Sequence, residues 1–499
     1  MRTILAAVLS VVVILGLAVS PGFAQPPAPK VTINGLVDFA TSIYKNVRDS
    51  DITNDTDEGW YSRERGVFTF TGEIGKAKGV MALEFDFTNG QGSPSSGTSA
   101  NFDLDTDVPG FAEVKWLYVE APLTGPGSLM PFLPMASQIR LGAQPAQGHA
   151  YKPGILWSGD FPGVNVVTTW APNFRSTLTY AQIEEPLDET NVVAPASGES
   201  YAVLLSVEFD LFKGLTIKPT YAYANYDGTN SGTGTLGTES PKDGFTPAGG
   251  AIQSRHTIGG DVRWTTGAFS LQPTFLYQIG TQECTLASCG HTDDVDINTW
   301  IFDVIGGFRA GPLTIEGRFA YTPGMQAEDC VQAGGFCGAG RDDIGYYRAI
   351  NPGFVYQAGW AEIQTSGVDY NLVHFGGAPA VNGSRLGISP SYDKYGRMTL
   401  AAAIDYAVTP AFVLHLVGNA QWTAEKVDTG RPTLNSAATS AGDDDYLGTE
   451  IDAGFTYRFA PNVAFDLLGG YLIAGDARGF NNQSPEDIYK IAARMRVTW

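Results

Sequence analysis

Few residues in this 499-residue chain are placed to make or break bonds. Its five histidines, His149, His256, His291, His374 and His415, fall in no recognisable hydrolase motif. Its four cysteines form two local pairs, Cys284 with Cys289 and Cys330 with Cys337, each in a polar, glycine-containing stretch. That spacing is loose for zinc even with His291 nearby, and suits disulfides that tie loop tips in an oxidising compartment. The acidic run "RDSDITNDTDEG" brings Asp49, Asp51, Asp55, Asp57 and Glu58 together. It lacks the glycine and terminal glutamate spacing of a calcium loop, so a solvated acidic rim that gathers divalent cations is expected. No metal or cofactor site follows from these residues. The chemistry that remains is electrostatic. Charged residues recur at every second position: Arg63 and Arg65, Glu84 and Asp86, Glu208 and Asp210, Glu450 and Asp452. Such rows act on a passing ion through their field rather than through a bond.

Period-two spacing is the signature of a strand, which sends alternate side chains to opposite faces. The closing segment "YKIAARMRVTW" sends Tyr489, Ile491, Ala493, Met495, Val497 and Trp499 one way, and Lys490, Ala492, Arg494, Arg496 and Thr498 the other. In "VTINGLVDFATSIY", Val31, Ile33, Val37, Phe39 and Ile43 oppose Thr32, Asn34, Asp38 and Ser42. The pattern recurs in "WYSRERGVFTFTGEI", "VMALEFDF", "YAVLLSVEFDLF" and "LGTEIDAGFTYRF". The runs are long for a soluble sheet, and their apolar faces carry aromatics near the ends, as girdles would. Connections alternate in length. Tight links at 75–79, 171–173, 213–214, 265–267, 310–311, 409–410 and 460–461 interleave with long polar loops, the longest at 324–394. The segment "APLTGPGSLMPFLPM" reads as a longer turn on the short side.

These features predict an all-β fold: a transmembrane antiparallel β-barrel of about 18 strands, 16 to 20 being compatible, with short periplasmic turns and long extracellular loops. Three regions are expected. Residues 1–24 read as a signal peptide, with Arg2, an apolar run from Ile4 to Val19 and a cut after Ala24. Residues 25–30 form a short proline-rich leader, and residues 31–499 a single barrel domain with the long loop 324–394. No later stretch offers the ~20 apolar residues of a spanning helix. The balance of 52 acidic against 31 basic residues argues against nucleic acid as a partner.

On the residues of its two ends, "VTINGLVDFATSIY" and the terminal Trp499, the chain resembles the Gram-negative outer-membrane porin superfamily. The resemblance implies a water-filled channel for passive diffusion of ions and small hydrophilic solutes. It implies an outer-membrane location among lipid and lipopolysaccharide, and a homotrimer. It makes the final aromatic an assembly signal for the barrel-insertion machinery, with Trp499 where the family usually ends in Phe. It also places a constriction where the third long loop, here "AQGHAYKPGILWSGDF", folds inside against wall arginines. The matching candidates are Arg63, Arg65 and Arg140 on the wall, with His149, Lys152 and Asp160 on the loop. Glu84, Asp86 and Glu113 are the neighbouring inward acids. The loop is poorer in acids than the family pattern, so the segment 324–394, with Glu328, Asp329, Asp342 and Asp343, is the alternative source of a plug. Because inward carboxylates outnumber inward cations, a weak preference for cations is expected. A channel selective for a sugar or an organic ion is the alternative within pores. A barrel enzyme is the alternative of another class. A plugged transporter of the 22-strand type is disfavoured, since strands begin by about residue 31 and leave no room for a plug domain.

Overall fold

The computed structural model describes residues 28–46, 58–89, 101–102, 112–146, 148–184, 200–227, 251–284, 294–330, 343–350, 356–365, 367–368, 395–432 and 438–499. In chain order the strands are β1 (Lys30–Lys45), β2 (Gly59–Ile74), β3 (Ala77–Asn89), β4 (Asn101–Phe102), β5 (Glu113–Pro122), β6 (Ala136–Pro145), β7 (Asp160–Ala171), β8 (Phe174–Glu184), β9 (Ser200–Phe212) and β10 (Leu215–Asp227). They continue with β11 (Ala251–Thr266), β12 (Phe269–Cys284), β13 (Val295–Ala310), β14 (Leu313–Thr322), β15 (Asp343–Ile344), β16 (Arg397–Thr409), β17 (Phe412–Val427), β18 (Asp444–Ala460), β19 (Val463–Ala474) and β20 (Ile488–Thr498). Two of the twenty, β4 and β15, are two-residue pieces that lie parallel to β3 and β13. The other 18 pair antiparallel, each with its neighbours in chain order.

Closure comes from β1, which pairs with β2 on one side and with β20 on the other, from Leu36↔Thr498 to Lys45↔Tyr489. Beyond that register, the Trp499 amide donates to the Gly35 carbonyl at 3.1 Å and the Gly35 amide to the Trp499 carbonyl at 3.0 Å. The Trp499 ring lies over Gly35, where any Cβ would overlap it, and meets the edge of Phe68 at 5.6 Å. The ring of strands therefore has no free edge, which is what a sheet needs where no water can satisfy its backbone.

Alternation decides what faces where. On β1, Val31 is 70% and Ile43 56% exposed, while Asp38 and Ala40 are fully covered. The same inversion runs round the barrel through Leu117, Val119, Phe275, Leu414, Ile451, Tyr471 and Ile491, all exposed. A sheet with aliphatic and aromatic side chains outside and carboxylates, guanidiniums and amides inside has lipid as its outer solvent. Short hairpins close one end. In those between β11 and β12 and between β13 and β14, Gly267 (φ 56°) and Gly311 (φ 57°) take the left-handed conformation that such turns require. The longer link 123–135 between β5 and β6 lies at the same end, and the third loop and the connection from β14 to β16 leave from the other. Among the described residues no helix is long and apolar enough to cross a membrane, and the helical pieces are short 3-10 turns at Ala327–Cys330 and Asp476–Arg478. The stretch "GFVYQAGWAEI" adds no strand among its described residues, 356–363, which lie inside the barrel. The acidic run 49–58 falls outside the described residues except for Glu58, as do Cys289 and Cys337, and with them both cysteine pairs.

Candidate functional site: a charged wall and two inward loops

A ladder of alternating charges crosses the inner wall from β20 through β1, β2, β3 and β5 to the start of β7. The Arg496 guanidinium donates to Asp38 at 2.7 Å. Arg63 lies 3.9 Å from Asp38 and donates to Asp86 at 3.0 Å. Arg65 pairs with Glu84 and stands 3.7 Å from Asp86. Lys115 pairs with Glu84 and reaches Asp160 at 3.3 Å. Strand pairing builds this order, because it sets Asp38 opposite Arg65 and Arg65 opposite Asp86. Four acids face four bases, so the ladder is close to neutral in sum and steep in local field. Arg63 and Glu84 are buried within it, while Asp86, Arg65, Lys115 and Asp160 keep one edge towards water.

Lys115 owes its place to a bulge. The register of β3 with β5 steps from Ala82↔Trp116 to Leu83↔Val114, leaving Lys115 as the extra residue. The bulge re-aims the strand, so that Lys115 and the Trp116 indole, which donates to Asp160 at 2.6 Å, both meet the third loop's acid. The signal lay in the sequence: Val114 and Leu117 both face lipid but are three residues apart, which strict alternation forbids.

The third loop folds inward as expected, but His149 and Lys152 do not line the channel. His149 is 3% exposed; Nδ1 meets Ser206 Oγ at 3.1 Å and Nε2 meets Thr179 Oγ1 at 2.7 Å. Lys152, 4% exposed, donates to the Gln272 carbonyl at 2.7 Å and to Thr274 Oγ1 at 2.6 Å. Both are pegs that fix the loop to the wall of β8, β9 and β12. Burial, aided by the Lys218 charge, pushes the His149 pKa down to about 3. Burial likewise lowers Lys152, against the pull of Asp303 and Asp261. Tyr151 stands between them and the water. Its amide donates to Asp261 at 3.1 Å and its hydroxyl to Glu208 at 2.9 Å. Burial and then the Glu208 bond raise its pKa. The Arg263 guanidinium sits 3.6 Å from its ring centroid and the Lys218 ammonium 4.1 Å from it.

A pH dependence follows. The docked His149 is neutral down to about pH 3, whereas an undocked one titrates at the ordinary histidine value of 6.5. Between those values the released loop binds a proton that the docked loop refuses, so acid favours release and docking strengthens as pH rises towards 6.5. Limited proteolysis of the third loop is expected to accelerate as pH falls through that window. In His149→Gln this acceleration is expected to be lost.

The long connection between β14 and β16 supplies the second inward segment. Tyr347 donates to the Ile155 carbonyl and the Ile350 amide to the Leu156 carbonyl, both at 2.9 Å, so the two loops are joined. Ile155, Leu156, Tyr347, Ile350 and Tyr356 pack on an apolar patch of the inner wall formed by Ala202, Leu204, Ala222, Ala224, Leu276 and Ile301. Arg318 pairs with Asp303, and the Tyr356 hydroxyl donates to the same carboxylate at 3.0 Å. Residues 356–365 then cross β16 and β17 along the wall, Gln357 donating to Thr399 at 3.2 Å and the Trp360 carbonyl accepting from Asn419 at 3.0 Å, to reach β18, where the Ile363 and Gln364 amides donate to Glu450 at 2.6 and 2.7 Å. Among the described residues, the buried acid this segment carries is Glu362. Of the acids singled out in the sequence, Asp343 sits exposed on β15 and Glu328 is exposed on the 3-10 turn, while Asp342 and the Asp329 side chain lie outside what is described.

The remaining site residues separate. Arg140 pairs with Glu120, at 2.7 and 3.0 Å, and lies over the Tyr118 ring; Glu120 also takes Lys78. This is a second cluster towards the hairpin end, and the structure does not join it to Arg63 and Arg65. Glu113 is exposed, opposite Glu84 in register. Between the third loop and the wall lies a cavity of about 770 Å³. Lys115, Arg175, Lys218 and Arg263 border it as cations and Asp160 and Glu208 as anions.

A closed antiparallel barrel of 18 strands, apolar outside, polar inside and narrowed by two inward loops, has the porin type of fold. No family model matches the chain, and no curated protein does. Solved structures do. Pseudomonas aeruginosa OpdQ aligns with a TM-score of 0.50 and 9% identity, over 94% of this chain and 97% of that one. Pseudomonas aeruginosa OccK8 (OprE) aligns at 0.49 and 12% over 94% and 98%, and Acinetobacter baumannii OccAB1 at 0.49 and 11% over 93% and 96%. At these identities the likeness is one of fold.

Proposed function

We propose that the protein is an outer-membrane channel of a Gram-negative-type bacterium, through which ions and small hydrophilic solutes diffuse passively. The observation that carries this reading is the cavity between the third loop and the wall, bordered by both signs of charge, inside a barrel whose exterior is apolar. The residues that edge it act by field and fit, without a reacting group. With the ladder close to neutral, the acidic surplus of the whole chain sets a weak preference for cations. The unit in the membrane is a homotrimer set in lipid and lipopolysaccharide, with Trp499 read by the barrel-assembly machinery. Purified protein in a planar bilayer is expected to open in discrete steps, grouped in threes, with a reversal potential displaced mildly towards cations. A folded barrel that carries no current would sink the reading.

A second reading, selectivity for a small organic ion, rests on Arg263. This guanidinium is exposed at the cavity and seated on the Tyr151 ring, while Arg175 and Lys218 both serve Glu208. If it marks an anion path, Arg263→Ala is expected to lower the permeability of a small carboxylate by roughly two- to fivefold, the scale of one exposed charge contact. Potassium and chloride conductance would change less. Equal loss for all ions returns the reading to a general pore.

A further inference from the structure

Where residues 361–365 meet β18 and β20, three carboxylates converge out of water. Glu450 and Asp452 stand two apart on β18, 0% and 2% exposed, and Glu362 of the crossing segment is 5% exposed. Glu450 receives the Ile363 and Gln364 amides, one on each oxygen, so both of its oxygens already accept a bond. Both oxygens of Glu362 accept the Val368 amide at 3.0 Å, and Lys490 stands 3.3 Å from Oε2 and donates to the Glu362 carbonyl at 3.0 Å. Asp452 differs. Its Oδ2 accepts the Glu362 amide at 3.1 Å, while its Oδ1 is buried and has no hydrogen-bond partner among the described residues.

The space over Gly470 shows what Oδ1 faces. Gly470 is the register partner of Asp452 on β19, and a Cβ there would overlap Asp452 Oδ1 and lie 3.0 Å from Glu450 Oε1. The two carboxylates thus converge on a place kept free of a side chain. The charged groups around Asp452 are Glu362 on the crossing segment, Glu450 on its own strand, and Lys490 and Arg494 on β20. Arg494 is engaged with Asp466 of β19 at 2.8 Å and with the Val368 carbonyl at 3.2 Å. Two adjacent buried anions with a third beside them cannot all stay ionised at low cost; one takes a proton and becomes a donor.

We propose that Asp452 carries a proton at neutral pH, directed from Oδ1 towards Glu450, and that this shared proton is a latch holding residues 361–365 against β18 and β20. Loss of the proton in alkali sets Asp452 against Glu450 and Glu362 at once. Glu362 belongs to the crossing segment, so the repulsion drives that segment off the wall into the lumen and narrows it.

Infrared spectroscopy of the folded protein at neutral pH is expected to show the carbonyl stretch of an un-ionised carboxylic acid. That band shifts with isotope-labelled aspartate, disappears on alkaline titration, and is lost in Asp452→Asn. The narrowing rests on the channel reading and is tested apart from it. In a bilayer, wild-type conductance falls reversibly as pH is raised from neutral, while Asp452→Asn, which keeps the amide donor towards Glu450, holds the neutral-pH level throughout. A wild-type spectrum with no aspartic acid band overturns the proposal, and that measurement needs no variant to fold. An alkaline fall that persists in Asp452→Asn overturns the latch. The band without any current overturns the channel reading and leaves the shared proton standing.

Discussion

Replacing Arg63 and Arg65 together with alanine is expected to turn the channel towards cations and to weaken the barrel. The ladder sets Asp38, Glu84, Asp86 and Asp160 against Arg63, Arg65, Lys115 and Arg496. Without the two arginines, four carboxylates face two cations, and Asp38 keeps only Arg496 of its two partners in the ladder. The wall then carries a local negative charge at the level where the third loop narrows the lumen, which attracts cations and excludes anions. Arg63 is 1% exposed and Asp38 0%, so this pair is broken out of water, where loss of one partner costs about 3–5 kcal/mol. Since Asp38 retains Arg496, the lower end of that range is expected. The reversal potential in a salt gradient reads the first effect, and the temperature at which the barrel loses its folded electrophoretic mobility reads the second. The double lysine variant keeps the charge and is expected to stay near wild type in selectivity. An unchanged reversal potential in the alanine variant would falsify the assignment of these arginines to the field of the channel.

Arg318→Met is the second large effect. Asp303 is fully buried and accepts two bonds from Arg318 and one from Tyr356. The guanidinium also lies 5.1 Å from the Tyr356 ring and 5.7 Å from the Trp360 ring, so one cation joins the wall of β13 and β14 to the long inward segment. Methionine fills much of the volume but leaves a buried carboxylate with a single hydroxyl donor, at a cost of about 3–5 kcal/mol. The melting temperature is expected to fall, and the current to become noisier as the segment around Tyr356 detaches. Adding Asp303→Asn removes the stranded charge and is expected to recover most of the melting temperature. The current noise remains in that double variant, because the cation–ring contacts are still missing. Recovery of both properties together would assign the pair to barrel stability alone.

The two ends of the chain show how much was legible beforehand. Alternation in "VTINGLVDFATSIY" and in the closing segment named the lipid-facing residues of β1 and β20 one by one, and the structure exposes Val31, Ile33, Val37, Phe39, Ile43, Ile491, Met495 and Trp499. The tight links and long loops marked out 18 long strands for the same reason. Both signals are local: a strand's period and a turn's composition act over a few residues, and they do not depend on what lies across the barrel.

The inside was legible only as a list. The sequence by itself determined which residues point inward, and so put Arg63, Arg65, Glu84, Asp86, Asp303, Arg318, Glu450 and Asp452 on one surface. Only the tertiary structure decided their partners. Pairing of a charge depends on strand register, and at β5 one extra residue moved Lys115 into the ladder. Burial depends on what folds in from the loops. His149 and Lys152 became pegs because the wall offers them Ser206, Thr179 and Thr274, and Tyr356 and Glu362 became anchors because Asp303 and Lys490 await them far along the chain. A loop residue carries no period that records which wall it will meet. That contact is set by the side-by-side pairing of β14, β16, β17 and β18, which brings the wall of β18 and β20 within reach of a segment that leaves from β14.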